Sequence, residues 1–392
     1  MINSTTYCKL CDIGVATQNG GSVAMCNLSK TQWCDDNNQV IHLNTHTLES
    51  AWSSPTRIKI ANDLKVGIKN PNCRDCWDEE SAGKMSKRIE SNKHFADVEV
   101  LDRPRAFFLK PGNTCNLSCR HCNPETSSGW YRDYFNVEAT ETEFPVFLQK
   151  FTTTQDSYRD ESTVWSTLLN WSQTAVFYDL YGAEPMLIKP QWDMLRAASL
   201  GHGASGTDIH ISTNGTIWKD DYYEVFKRFR SVRIGISVDG IGQQFDYMRY
   251  PANWESVSVN ILKYKALANS VPTIDIAIET TLSLLNVYYA NDIYQYFDQL
   301  GIICGFNILH RPDYLNMRIA PDPVKYKIAE NLQKNPNHQT ANIIKLLMLP
   351  TEHSDQYLSK FWTITSKYDK FRQESYADTF PEMYNIIKTD IK

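Results

Sequence analysis

Residues 106–110 read Ala-Phe-Phe-Leu-Lys. After Pro111 the chain runs Gly112-Asn113-Thr114-Cys115-Asn116-Leu117-Ser118-Cys119-Arg120-His121-Cys122-Asn123. The first five residues are an apolar run of strand length. The next twelve hold three cysteines spaced C-x3-C-x2-C. A loop this short brings three thiolates to one point, and thiolates are the soft ligands that iron–sulfur clusters select. Three ligands leave one iron of a cubane cluster open to a small molecule that offers an amine and a carboxylate. The competing assignment is a structural zinc site, with His121 or a distant side chain as fourth ligand.

From Ala106 onward, apolar β-branched runs alternate with amphipathic stretches. The expected strands are 106–110, 175–181, 208–212, 233–238, 274–280 and 305–309. Helices are expected between them, over 190–200, 220–229, 256–269 and 291–300. Pro190 suits a first helical turn, and Gly201 and Gly301 suit helix ends. Strands alternating with helices imply an α/β fold with a parallel sheet. A closed eight-strand barrel would need two more repeats, so the expected fold is an open, partial (β/α)6 barrel. Residues 125–174 form a longer aromatic insertion, read as helices covering the cysteine loop. The expected division is a cysteine-rich domain over 1–100, the barrel over 101–320 and a helical extension over 321–392.

Residues 1–100 are rich in turn formers and poor in long apolar runs. A hairpin is expected at Gly20-Gly21, and helix over 48–64, broken at Pro55, and over 79–92. A segment so poor in core calls for a metal staple. Nine of the ten cysteines lie in the first third of the chain. They include two C-x2-C pairs, Cys8/Cys11 and Cys73/Cys76, with Cys26 and Cys34 between. Two such pairs are the ligand pattern of a zinc ribbon, or they hold a second iron–sulfur cluster.

The chain has 392 residues, 42% of them hydrophobic, enough for a sizeable core. Its net charge of -5 argues against a nucleic-acid partner. The first residues have no basic segment followed by an apolar one, and no apolar run approaches bilayer length. The expectation is a cytoplasmic, reduced protein without a membrane partner.

Polar motifs close the expected strands, where parallel sheets carry function. Strand two ends Gly182-Ala183-Glu184-Pro185. Strand three ends Ser212-Thr213-Asn214-Gly215, strand four Ser237-Val238-Asp239-Gly240 with Arg249 beyond, and strand five Glu279-Thr280-Thr281. Each alone reads as a strand-to-helix turn, and Arg249 alone as a surface ion pair. His210, His310 and Cys304 read as hydrogen-bonded or packed core.

The cysteine spacing, His121 before the third cysteine and Gly182-Ala183-Glu184-Pro185 about sixty residues later together resemble the radical S-adenosylmethionine superfamily. There the second motif is usually Gly-Gly-Glu, so Ala183 departs from it. Ser237-x-Asp239-Gly240 with Arg249 resembles the run found in peptide-modifying members. The resemblance implies a six-fold partial barrel and a 4Fe–4S cluster on Cys115, Cys119 and Cys122. It implies reductive cleavage of S-adenosylmethionine to a 5′-deoxyadenosyl radical that abstracts hydrogen from substrate. Cofactor contacts are implied for His121, Gly182, Ala183, Glu184, Ser212, Asn214, Ser237, Asp239 and Arg249.

Residues 7–92 resemble a twitch or SPASM-type auxiliary cluster domain placed before the barrel. This implies Cys8, Cys26, Cys73 and Cys76 as ligands of a second iron–sulfur cluster, with Cys11 and Cys34 surplus. Residues 371–382 also resemble this subgroup. A peptide or protein substrate follows by analogy, and an electron donor such as flavodoxin or ferredoxin is implied. The alternatives are radical chemistry on a small molecule, or a zinc-stapled binding module without catalysis.

Overall fold

The computed structural model describes residues 4–81, 83–138 and 163–390. The strands are β1 (Gly14–Thr17), β2 (Val23–Ala24), β3 (Ala106–Leu109), β4 (Phe177–Leu180), β5 (Asp208–Thr213), β6 (Ser231–Ser237), β7 (Ile274–Leu282) and β8 (Ile303–Ile308). They form one mixed sheet in the order β2-β1-β3-β4-β5-β6-β7-β8. All six expected strands are present as β3 to β8, each parallel to the next. The order is linear, with β2 and β8 at the edges.

Two further strands come from the N-terminal region. β1 pairs parallel with β3, and β2 returns antiparallel to β1 through the Gly20-Gly21 turn, where both glycines have positive φ. The sheet therefore has eight strands where the apolar runs predict six. β1 is short and carries a glycine, and its partner lies some ninety residues away, so no local pattern announces the pairing.

The N-terminal region is also richer in core than its composition suggests. Leu10, Ile13, Val15, Trp33, Ile41, Leu48, Trp52 and Leu64 are buried in the same apolar cluster as Phe107, Tyr178 and Ile211. They are scattered singly among polar residues, and the tertiary fold gathers them.

Helices fill the connections much as their periodicity predicts. Trp254–Ser270 buries Val257, Ile261, Tyr264 and Leu267, one stripe at helical spacing. Asn253 caps it by accepting from the Ser256 amide. Two expected helices differ. The stretch 79–92 divides into Arg74–Ser81 and Lys87–His94. Gly83, at φ +71°, lies between them, and Ser86 starts the second by accepting from the Ile89 amide. The stretch 220–229 is helical only over Tyr222–Phe226, and Asp221 pairs with Arg196 at 2.6 Å and does not cap.

In the aromatic insertion, Trp130–Val137 and Thr163–Trp171 are helical, while 139–162 lie outside the described residues. Residues 322–390 are mostly helical and build a second apolar cluster with Tyr247, Met248, Leu282 and Leu285.

Candidate active site

The cysteine loop leaves β3 and is held from several sides. Its backbone pairs with the segment after β6: the Ser118 amide donates to the Tyr250 carbonyl at 2.6 Å, and the Arg120 amide to the Met248 carbonyl at 2.8 Å. The Trp130 indole donates to the Cys119 carbonyl at 2.9 Å. Cys119 is buried, with Cys115 and Cys122 partly so. A hydrogen bond to Cys122 and burial hold the Cys119 thiol well above its ordinary pKa. The same bond lowers Cys122. Burial pushes Cys115 up to about 11.

Three strand ends meet this loop. After β4, Glu184 is fully buried and its amide donates to the Thr114 carbonyl at 3.1 Å. One carboxylate oxygen accepts from the Met186 amide and the Thr213 hydroxyl, and the other from the Asn214 amide at 2.7 Å. Burial raises its pKa against these bonds. Glu184 thus ties β4 to β5.

After β5, Asn214 Nδ2 donates to Asn116 Oδ1 at 2.9 Å and lies 3.9 Å from Cys115 Sγ. After β6, Asp239 is fully buried and accepts from the Thr281 amide at 2.8 Å. Its other oxygen lies 2.7 Å from Arg249 Nη2 and 3.5 Å from His121 Nδ1. Arg249 Nη1 is 4.0 Å from Cys119 Sγ. Arg249 is buried, so the surface ion-pair alternative does not hold. Its fork faces Asp239 and a cysteine.

Gly182 and Ala183 have φ of +78° and +53°. A Cβ on Gly182 would fall 2.6 Å from the Lys110 side chain and would have to displace it, and the positive φ favours glycine there. Ala183 takes the left-handed conformation that glycine adopts freely. Ser212 and Ser237 are partly exposed along β5 and β6, and the Ser212 hydroxyl serves Glu279.

The donor set fits a thiolate-bound cluster with a polar ligand beside it. Three soft ligands share one loop, and two buried polar atoms around it, Asn113 Oδ1 and Arg249 Nε, have no hydrogen-bond partner. Among the described residues, no group of three or more His, Cys, Asp or Glu side chains is arranged to hold a single metal ion.

Sequence reasoning missed the C-terminal clamp. Arg120, between two of the cysteines, is buried and reaches Asp369 at 2.7 Å and Glu374 at 2.5 Å, with its guanidinium over the Tyr247 ring. Arg372 donates to the Ser118 carbonyl at 2.8 Å and pairs with Asp133 at 2.7 Å. The available signal was the charged run Arg372-Gln373-Glu374.

His210 is hydrogen-bonded, as expected, but its partners are carboxylates. Nδ1 is 3.0 Å from Asp179 and Nε2 is 3.6 Å from Glu279. Burial pushes its pKa down, but the two carboxylates outweigh this and raise it to about 9. Cys304 is buried against Thr280, and His310 meets Arg318 at 3.5 Å.

All ten cysteines are unpaired. Cys8, Cys26, Cys73 and Cys76 line one enclosed cavity, together with Lys87 and Arg88. Burial drives Cys8 well above its ordinary pKa and Cys73 up to about 12. Cys11 is buried but does not line this cavity, and Cys34 lies apart, facing the Gln32 carbonyl.

No family model matches this chain. The sporulation killing factor maturation protein SkfB of Bacillus subtilis is 24% identical over 190 residues, which cover 48% of this chain and 38% of SkfB. The chain thus matches well under half the length of that relative. Among solved structures, native anSMEcpe with bound AdoMet is 15% identical, covering 59% of this chain and 60% of its own, with a TM-score of 0.38. SuiB of Streptococcus suis bound to precursor peptide SuiA is 11% identical, covering 88% and 71%, with a TM-score of 0.32.

Proposed function

We infer that this chain, a member of the radical S-adenosylmethionine superfamily, is an enzyme that cleaves S-adenosylmethionine reductively at Cys115, Cys119 and Cys122 and modifies a peptide. The observation that carries this reading is the convergence of Glu184, Asn214 and the Asp239–Arg249 pair on one three-cysteine loop. When bound, a 4Fe–4S cluster and S-adenosylmethionine would supply one-electron chemistry ending in hydrogen abstraction.

The chain's own residues position and enclose. Cys115, Cys119 and Cys122 would hold three irons. The paired left-handed residues Gly182 and Ala183 turn the backbone at the end of β4, where carbonyls would meet an ammonium group. Asn214 and Ser212 offer polar groups for the nucleoside, Ser237 one for the methionyl carboxylate, and His121, within the loop, lies 3.5 Å from Asp239. Asp239 fixes the orientation of Arg249, whose guanidinium would meet the methionyl carboxylate.

Cys8, Cys26, Cys73 and Cys76 would hold a second iron–sulfur cluster, because four buried thiols share one cavity. The peptide substrate is supported by the Ser237-x-Asp239-Gly240 and Arg249 run and by a curated relative named for maturation. A reducing compartment and a flavodoxin- or ferredoxin-like donor suit ten unpaired cysteines. No helix among the described residues is long and apolar enough to cross a membrane.

The test is 5′-deoxyadenosine formation from S-adenosylmethionine with dithionite, under anaerobic conditions. Cys119→Ala should abolish it and leave the fold intact. Equal formation in both proteins would overturn the assignment. Iron and sulfide retained after all three loop cysteines are replaced would support the second cluster, and zinc there would make it a structural site.

A further inference from the structure

A cavity of about 510 Å³ lies between helix Lys87–His94 and side chains of β3 to β7, reaching Glu279 towards the end of β7, and none of the loop cysteines lines it. Phe95, Phe108, Phe177 and Ile209 give it apolar walls. Two cations face it from opposite sides, Lys87 on the helix and Arg233 on β6.

Two of the three carboxylates beside them are committed elsewhere. Asp208 is gripped by the Arg230 fork at 2.6 and 2.7 Å and approached by His94 at 3.2 Å. Glu279 feels Arg233 but is held by His210 and the Ser212 hydroxyl. Asp275, opposite Arg233 in the strand register, does not line the cavity. Among the described residues neither Lys87 nor Arg233 has a hydrogen bond or ion pair; Lys87 rests over the Phe108 ring at 4.3 Å. Glu90 is the one lining carboxylate without such a partner.

We propose that this cavity binds an acidic side chain of the peptide substrate, its carboxylate between Arg233 and Lys87 and its aliphatic stem on the phenylalanine wall. The proposal rests on the peptide-modifying reading above. Arg offers a planar fork that matches a carboxylate, and Lys a point charge on the opposite wall. A phosphate dianion fits less well, because Glu90, Asp208 and Glu279 surround the same space and would repel the second charge. The site would place one substrate residue between the N-terminal region and the sheet, so both would read the peptide.

The test uses full-length, anaerobically reconstituted protein and short acetylated, amidated peptides differing only in a central Glu or Gln. Isothermal titration should show the Glu peptide binding about tenfold tighter or better, as a charge-assisted hydrogen bond implies. Arg233→Gln and Lys87→Gln should each erase most of that preference, and Arg233→Lys should keep part of it. Arg233 makes no core contact, whereas Lys87 also covers Phe108 and lines the four-cysteine cavity, so Arg233→Gln is the deciding variant and iron content is compared in Lys87→Gln. Equal affinity for the two peptides, no binding of either, or a preference that survives in the double Gln variant would overturn the proposal. Failure of wild-type protein to form 5′-deoxyadenosine would sink the radical reading and leave the peptide result standing.

Discussion

Arg249 and Asp239 form a buried ion pair at 2.7 Å, and the same guanidinium reaches to 4.0 Å from Cys119. One residue follows β6 and the other ends the helix Gln243–Met248, so their pairing sets the distance between strand end and cysteine loop. Removing one partner of a buried pair leaves the other charge uncompensated, at a cost of about 3–5 kcal/mol. Arg249→Ala should therefore destabilise the protein by that order in a denaturant titration. An Arg249→Met, Asp239→Leu double variant should lose less. Equal losses in both would show that the pair is not what holds this region.

Arg372 is the second anchor of the loop, through the Ser118 carbonyl and Asp133. Arg372→Ala should increase amide hydrogen exchange across 112–123 and leave exchange in β5 and β6 unchanged. Uniform exchange across all these segments would mean that helix Ser354–Arg372 does not restrain the loop.

Ala183 sits at φ +53°, where a Cβ costs about 1–2 kcal/mol. Glycine relieves this but gains freedom in the unfolded chain. Ala183→Gly should stabilise the protein by up to about 1 kcal/mol, seen as a higher denaturation midpoint. A lower midpoint would show that the alanine methyl makes a contact worth more than the strain.

His210 carries a pH dependence. Its folded pKa, about 9, lies above the ordinary 6.5, because Asp179 and Glu279 outweigh burial. A raised pKa means that the folded state binds the proton more tightly. The stabilisation is complete below about pH 6.5 and is lost as pH rises through about 9, to a limit of roughly 3 kcal/mol. His210→Gln should flatten the fall in stability between pH 7 and 9. An unchanged slope would assign that fall to other groups.

Replacing Cys73 and Cys76 together tests how far the N-terminal region depends on its cysteines. β1 is hydrogen-bonded to β3, and the region shares the main core. Protease cleavage should therefore appear first within residues 66–86, while 10–25 stay protected. Simultaneous cleavage throughout 1–100 would mean that the cysteine site holds the whole region in place.

The sequence by itself determined the six parallel strands, their order, the three-cysteine loop and the polar strand ends. Those features follow from local rules: β3, buried throughout, reads as a continuous apolar run, β5 and β6 show β-branched residues alternating with polar ones, and short spacing forces three thiols together. The tertiary structure alone decided the rest. It joined β1 to β3 and gathered Leu10, Trp33 and Leu64 into the main core. It placed Cys8, Cys26, Cys73 and Cys76, the four that the family resemblance implied, around one cavity. It turned Arg249 inward to Asp239 and brought Arg120 to Asp369 and Glu374. Each of these joins residues that no short window connects. Which distant partners meet depends on how helices and strands pack to bury apolar surface, and a linear pattern does not encode that separation.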